Sequence, residues 1–489
     1  MASQVLLAQG LPRGGPHRQT CDVVHPDDLR RAFAVDMSRM YREEVPLYGD
    51  LIRIVQSVNK QAFASSVNPD TLERLTLERH GAIRLGTPSE LRTVSRIFAV
   101  LGMQPVGYYD LSAAGLPMHA TCFRPVQVSS LATNPFRVFT TLLRPQLIRS
   151  QEARSLAKRM LSKRNIFSAE LIQMLSTAEE QGGLDPEQAG IFIHEALKTF
   201  SWAPVAAATA KEYELLKAQH PILADIACFK IAHINHLTPR KLNITLAQAP
   251  MLEEGLRVKD RIEGPPRRRW PILLRQTSFL ALEEAIKFIR DGEGDEKQDL
   301  IQGSHKARFG EIEECGAAVT PAGRALYDKL LAIAMEKSAG QDSSAADAIT
   351  ESVFQEFPDD WAQLRARGLV YCEYECTGKA VPDTMAVDLD LDLADRSAVV
   401  EALLAQGVLE TKPITYEDFL PFSAAGIFQS NLGGKSTQND LPILSGSSDQ
   451  HGLAAAMGRS ILDSDELYAA AEQGSLNSCL QKLAAGYKA

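Results

Sequence analysis

Glu78-Arg79-His80-Gly81-Ala82-Ile83-Arg84-Leu85-Gly86 is the stretch whose reading decides the fold. If His80 to Arg84 is a β-strand, residues an even number apart share a face, so His80 and Arg84 point the same way. A second histidine, His236, stands in Ala-His-Ile-Asn-His-Leu-Thr-Pro-Arg. A carboxylate pair stands in Ala-Arg-Phe-Gly-Glu-Ile-Glu, where Phe309, Glu311 and Glu313 occupy one strand face. Two imidazoles and one carboxylate form the facial ligand set of non-haem Fe(II), which leaves the opposite face open. His80, His236 and Glu311 are therefore the candidate metal ligands, with Glu313 as the rival carboxylate. On a strand only one of His233 and His236 can face the metal. His236 is preferred, because the following Leu-Thr-Pro ends the strand there and parity places His233 outside.

Working outward, the pattern after His80 reads strand (82–85), helix (88–101), strand (106–111) and strand (118–125). A second such run begins near Ile231, with a strand at 231–237, a helix at 246–256, strands around 271–282 and a closing strand at 306–314. Two β-α-β-β modules, about 78–149 and 229–320, can pair into a curved sheet around a pocket. The text from about 150 to 228 is helical, with apolar residues three and four apart over 153–161, 168–180 and 186–200. It reads as an inserted helical subdomain. A long helix is expected from Pro26 towards Ala62. The fold class expected is α+β: a curved, partial-barrel sheet around a metal site, with a large helical insertion and flanking helices. Residues 1–25 read as a disordered tail, 26–435 as the catalytic domain and 436–489 as a loop-rich extension ending in a helix over 463–485.

The chain has 489 residues, 45% hydrophobic and 23% charged, which is ordinary for a globular protein rather than a disordered one. Its 52 basic and 61 acidic residues give a net charge of −9, which argues against a nucleic-acid surface; Arg267-Arg268-Arg269 is too short to change that. The seven cysteines are scattered without a Cys-x-x-Cys pair, as expected of reduced thiols in the cytoplasm. Cys372 and Cys376 share a strand face but lack the partners of a zinc site. No apolar run approaches the length of a membrane span, and Val5-Leu6-Leu7-Ala8 is too short for a signal peptide. No acidic residue precedes Asp22, which is compatible with a mitochondrial transit segment, but the disordered tail in a cytoplasmic protein is the preferred reading.

Four motifs taken in order resemble the 2-oxoadipate dioxygenase/decarboxylase family: His-Gly-Ala-Ile-Arg at 80–84, His236 before Leu-Thr-Pro-Arg, Arg-Phe-Gly-Glu-Ile-Glu at 308–313, and Glu417-Asp418-Phe419-Leu420-Pro421 followed by Ser423-Ala424-Ala425-Gly426-Ile427-Phe428. The resemblance covers roughly residues 30 to 435. That family is similar in turn to the vicinal oxygen chelate enzymes, whose last ligand lies in a similar Phe-x-Glu-Ile strand, which favours Glu311 over Glu313. The resemblance implies that His80, His236 and Glu311 hold Fe(2+), that Arg84 recognises the substrate and that Phe422 and Ser423 line its site. Phe422 stands where the family is expected to carry a smaller aliphatic residue, which bears on pocket size. It further implies conversion of 2-oxoadipate and O2 to 2-hydroxyglutarate and CO2 in lysine breakdown, the substrate supplying its own oxo acid. The competing readings are a lyase, isomerase or extradiol-type dioxygenase on the same fold, and a non-catalytic relative that binds a small acid.

Overall fold

The computed structural model describes residues 23–62, 78–240, 244–290, 300–381, 393–420 and 447–485. They fall into two compact units. The larger is drawn from Met1–Glu263, Gln276–Glu314 and Phe419–Leu462, and the smaller from Gly264–Arg275, Cys315–Asp418 and Asp463–Ala489.

The larger unit begins with two helices where one long helix is expected. Pro26–Glu44 starts on a His25 cap whose ring accepts from the Asp27 amide, with Pro26 in the first turn and Asp27 and Asp28 at the positive end of the helix dipole. It stops at Val45, whose backbone is non-helical (φ −127°, ψ 84°), because a residue before proline avoids the helical region and Pro46 has no amide to donate. Pro46 then opens the second helix, Pro46–Ala62.

The strands are β1 (Glu78–Leu85), β2 (Gln104–Asp110), β3 (Met118–Arg124), β4 (Arg137–Leu143), β5 (Val205–Thr209), β6 (His236–Pro239), β7 (Leu274–Ser278), β8 (Glu283–Ile289), β9 (Leu300–Lys306), β10 (Phe309–Cys315), β11 (Cys372–Cys376) and β12 (Leu409–Pro413). Seven of them form one sheet in the order β2-β3-β4-β1-β6-β10-β7, curled into a half-barrel within an α+β fold. Its centre is β1, which runs parallel to β4 and antiparallel to β6, and β6 runs parallel to β10. Every residue of β1 is buried, so both of its faces are covered. Ile83 and Leu85 join one apolar core with the helix Pro88–Val100 and the two N-terminal helices. Ala82 joins a second core with Phe139 and Phe419. Opposite faces of one strand thus feed different cores, as parity requires. The helix Pro88–Val100 opens with a capping box between Thr87 and Glu90.

Several boundaries differ from those read in the sequence. Strand β6 begins at His236 and includes Leu-Thr-Pro, whereas residues 231–235 are irregular, so Pro239 closes the strand instead of following it. A full strand, β4, lies in the first module where the sequence reading named none, and it pairs directly with β1. The helical segment contains the expected Gln151–Ser162, Ala169–Gln181 and Pro186–Phe200, and also β5 and the short helices Ala210–Gln219 and Pro221–Ala227. Strand β5 pairs with β8, and β8 with β9, in a separate three-stranded sheet.

Two glycines let the layers close behind the central strands. A Cβ at Gly81 would lie 2.7 Å from Ile234 Cδ1 and 3.0 Å from Leu237 Cδ2, and one at Gly310 would lie 2.4 Å from Phe279 Cε1. Each glycine adjoins one of the candidate ligands. The hydroxyl of Tyr41 bridges the same region, donating towards the carbonyls of Asn235 (3.0 Å) and Phe309 (2.8 Å). In the smaller unit, β11 and β12 form an antiparallel pair and the helix Ser464–Ala484 packs against β11. No helix among the described residues is long and apolar enough to cross a membrane.

Candidate metal centre

Strands β1, β6 and β10 present His80, His236 and Glu311 on one face. The register sets Ala82 beside His236 and His80 beside Thr238, and Phe309 beside His236 on the other side. The His80 and His236 rings meet edge to face with centroids 5.4 Å apart. Glu311 Oε1 lies 3.0 Å from His80 Nε2 and 4.0 Å from His236 Nε2. One donor atom from each of the three side chains falls within 4.8 Å of the others, and all three residues are buried.

These residues fit a divalent metal ion on their own chemistry. Glu311 Oε2 and His236 Nδ1 are buried polar atoms with no hydrogen-bond partner, which is costly unless a ligand completes them. Burial, then the neighbouring His80 and Arg84, hold the His236 imidazole well below its usual pKa, so its lone pair is available. His80 moves the other way: burial lowers it, but the carboxylates of Glu313 and Glu311 outweigh that and raise it. With no cation in the trio, a proton at His80 is what those carboxylates favour.

The second carboxylate has a different position from the first. Glu313 Oε2 lies 2.9 Å from His80 Nδ1, while Arg137 grips both Glu313 oxygens at 3.1 and 2.9 Å and Arg79 Nε lies 3.4 Å away. Burial would raise the Glu313 carboxyl, but Arg137, His80 and Arg79 prevail and hold it well below the usual range. An ionised Glu313 at that distance favours the proton on His80 Nδ1, which leaves Nε2, on the Glu311 side, as the nitrogen that would face a metal ion. The Thr238 hydroxyl sits between the donors, 3.0 Å from His80 Nε2 and 3.2 Å from Glu311 Oε1, to which it donates. Phe419 packs edge-on to His80 (4.8 Å) and under the Arg137 guanidinium (4.7 Å), and Phe309 stacks on His236 (4.6 Å, 23°). Lys259, paired with Glu263 at 2.6 Å, is buried near enough to His236 to depress it further.

Arg84 lies on the His80 face of β1, and its guanidinium has an anionic partner inside the protein. Arg84 Nη1 is bonded to Asp225 Oδ2 at 2.5 Å, and both residues are buried. His233 is likewise not turned outside: it precedes β6, is 3% exposed, and lies 3.1 Å from Asp225 Oδ1. Phe422 and Ser423 lie outside the described residues. Arg137 and Asp225 were not singled out from the sequence, and Thr238 and Phe419 appeared there only as members of quoted motifs with no role given. Arg137 carried a signal as one charge in the apolar, β-branched run Phe-Arg-Val-Phe-Thr-Thr-Leu-Leu at 136–143.

With this geometry established, comparison with known proteins is specific. A sequence model described as 2-oxoadipate dioxygenase/decarboxylase matches residues 33–431. The 2-oxoadipate dioxygenase/decarboxylase of Pseudomonas putida (KT2440) is 46% identical over 477 residues, spanning 95% of this chain and 99% of that protein. The Escherichia coli (K12) protein of the same name is 45% identical over 460 residues, spanning 93% of this chain and 98% of its own. A crystal structure of the hydroxyglutarate synthase from Pseudomonas putida in complex with 2-oxoadipate aligns with a TM-score of 0.80 at 44% identity, over 94% of this chain and 99% of that one. A match over most of the chain, at this identity and in this fold, makes the protein a member of the 2-oxoadipate dioxygenase/decarboxylase family.

Proposed function

We propose that the protein is an Fe(II)-dependent dioxygenase and decarboxylase that converts 2-oxoadipate and O2 to 2-hydroxyglutarate and CO2 as a step of lysine breakdown in the cytoplasm. The observation that carries the reading is the buried His80–His236–Glu311 trio with its unpartnered Glu311 oxygen, set in a chain whose relatives bear that enzyme name. His80, His236 and Glu311 are the residues that hold the metal. Bound Fe(II) supplies the redox chemistry through which O2 is spent on oxidative decarboxylation and hydroxylation.

The side chains around the trio account for the rest. Glu313 and Arg137 fix the His80 tautomer and keep its Nε2 aimed inward. Phe419, Phe139 and Phe309 form an apolar wall that limits water around the donors. Arg84, four residues along β1 and so roughly 13 Å away at Cα level, suits the remote carboxylate of a six-carbon dicarboxylate whose oxo-acid end is at the trio. Phe422 and Ser423 complete the substrate wall in this reading.

Atom balance constrains the outcome. C1 leaves as CO2 with its own two oxygens, the former C2 becomes a carboxylate and needs one new oxygen, and the former C3 gains a hydroxyl and needs another. Both atoms of O2 therefore end in 2-hydroxyglutarate. The test is a panel of 2-oxo acids with Fe(II)-loaded protein: O2 uptake and CO2 release equal in amount, strongest with 2-oxoadipate, are expected. Turnover without O2 uptake would replace this reading with a lyase or isomerase.

A further inference from the structure

Behind Arg84 a single buried carboxylate organises a second polar cluster. Asp225, near the end of the helix Pro221–Ala227, takes Arg84 Nη1 at 2.5 Å and Asn235 Nδ2 at 3.3 Å on its Oδ2. Its Oδ1 lies 2.8 Å from His305 Nε2 and 3.1 Å from His233 Nε2. The Tyr213 hydroxyl lies 2.8 Å from His305 Nδ1. Because an ionised carboxylate only accepts, His305 Nε2 carries the hydrogen and Nδ1 is the acceptor for Tyr213. The result is one directional chain, Tyr213 to His305 to Asp225, ending on the ion pair with Arg84. Trp202 stacks on His305 and meets His233 edge-on, closing the cluster in. Burial opposes ionisation of Asp225, but Arg84 and then the two histidines hold its carboxyl well below the usual range.

Asp225, His233 and His305 also offer donors within 4.8 Å of one another, as a metal site would. The cluster's one carboxylate, however, is already bonded to a guanidinium, and a divalent cation there would sit beside that fixed positive charge. The contacts fit an anchor better than a ligand set.

We propose that Asp225 is a positioning residue for substrate selection: it holds the Arg84 guanidinium in the orientation that receives the remote carboxylate of the substrate, and the Tyr213–His305 chain holds Asp225 in turn. This rests on the reading of Arg84 given above. A long arginine side chain loses rotamer freedom when it grips an anion; Asp225 imposes that order before the substrate arrives. Asp225 also keeps Arg84 compensated when the bound acid has no second carboxylate, so the selectivity lies in geometry as well as charge.

The experiment compares kcat/KM for 2-oxoadipate with that for 2-oxohexanoate, which replaces the remote carboxylate by a methyl group. Fe(II)-loaded wild type is compared with Arg84→Ala, Asp225→Asn, the double variant and Tyr213→Phe. Asp225→Asn is expected to lower the ratio about 10- to 100-fold, the scale of an ångström-sized misplacement. The double variant should fall no further than Arg84→Ala alone, since both changes act through one guanidinium. Tyr213→Phe should give a smaller fall in the same sense, and it decides the matter alone if Asp225→Asn does not fold. Equal losses on both substrates, or an unchanged ratio in Asp225→Asn while Arg84→Ala lowers it, would overturn the positioning role and leave the Arg84 reading intact. An unchanged ratio in Arg84→Ala would overturn both. A second bound metal equivalent that disappears in His305→Gln would overturn the anchor in favour of a second metal site.

Discussion

The two glutamates of β10 stand two residues apart on one face, yet the structure predicts opposite consequences for replacing them. Glu313→Gln removes the charge that Arg137 grips with two bonds and that His80 Nδ1 faces at 2.9 Å. Both Arg137 and Glu313 are 0% exposed, so the arginine is left as a buried cation short of its principal counter-ion. Breaking a buried pair in this way costs about 3–5 kcal/mol. Glu311→Gln removes no guanidinium contact; in metal-free protein it puts at risk the hydrogen bond from Thr238, worth about 1 kcal/mol, and removes the charge that faces His80 Nε2 at 3.0 Å, while Glu313 still faces Nδ1 of that ring. The metal responses reverse that order. Glu311→Gln should abolish tight metal binding, since it removes the trio's one anionic donor, whereas Glu313→Gln should weaken it by about 10- to 100-fold, the usual effect of losing a partner behind a ligating histidine. Chemical denaturation of chelator-treated protein gives the stabilities, and titration with Fe(II) under anaerobic conditions gives the affinities. Loss of metal in Glu313→Gln with normal binding in Glu311→Gln would refute the assignment of the two roles. Equal destabilisation by both substitutions would refute the picture of Glu313 as the Arg137 anchor.

Two further outcomes follow from other parts of the larger unit. Gly81→Ala should destabilise the protein by about 1–3 kcal/mol, because the new methyl beside His80 meets the side chains of Ile234 and Leu237 and overpacks that layer; a denaturation midpoint equal to wild type would contradict it. Asp225 has a folded pKa depressed below its unfolded value of about 3.9, so its contribution to stability is present above that pH and is lost as pH falls towards the folded value. The stability gap between wild type and Asp225→Asn in metal-free protein should therefore be constant from neutral pH to about pH 5 and shrink below about pH 4; a gap that widens on acidification would contradict the ion pair.

What the sequence discloses, and what it conceals, follows from the kind of physics each feature depends on. Parity is local, so a strand at His80 was enough to put Arg84 on its face, and Glu311 and Glu313 on theirs. The three donors were recognisable by residue type and by the motifs around them, and the fold does bring them together. Register between distant strands is not local. Arg137 stands opposite His80 because β4 lies parallel to β1, a pairing across more than fifty residues that no pattern around either segment encodes. The same holds for Asp225, which reaches Arg84 from a helix within the inserted segment. β1 is buried along its whole length, so it lacks the polar alternation that would have marked its start at Glu78. The break at Val45 was readable from Pro46 alone, and a helix over 26–62 overlooked it. His233 was placed outside because a strand was assumed through 231–237; without that strand, parity has no hold on it.

The central claim is that both atoms of O2 are built into one product at this trio. The most direct measurement is turnover of 2-oxoadipate by Fe(II)-loaded protein under isotopically heavy O2, with mass analysis of the organic acid and of the released gas. The account predicts 2-hydroxyglutarate carrying two heavy oxygens, one in its new carboxylate and one in its hydroxyl, and unlabelled CO2. A product whose new hydroxyl comes from water, or label appearing in CO2, would contradict it.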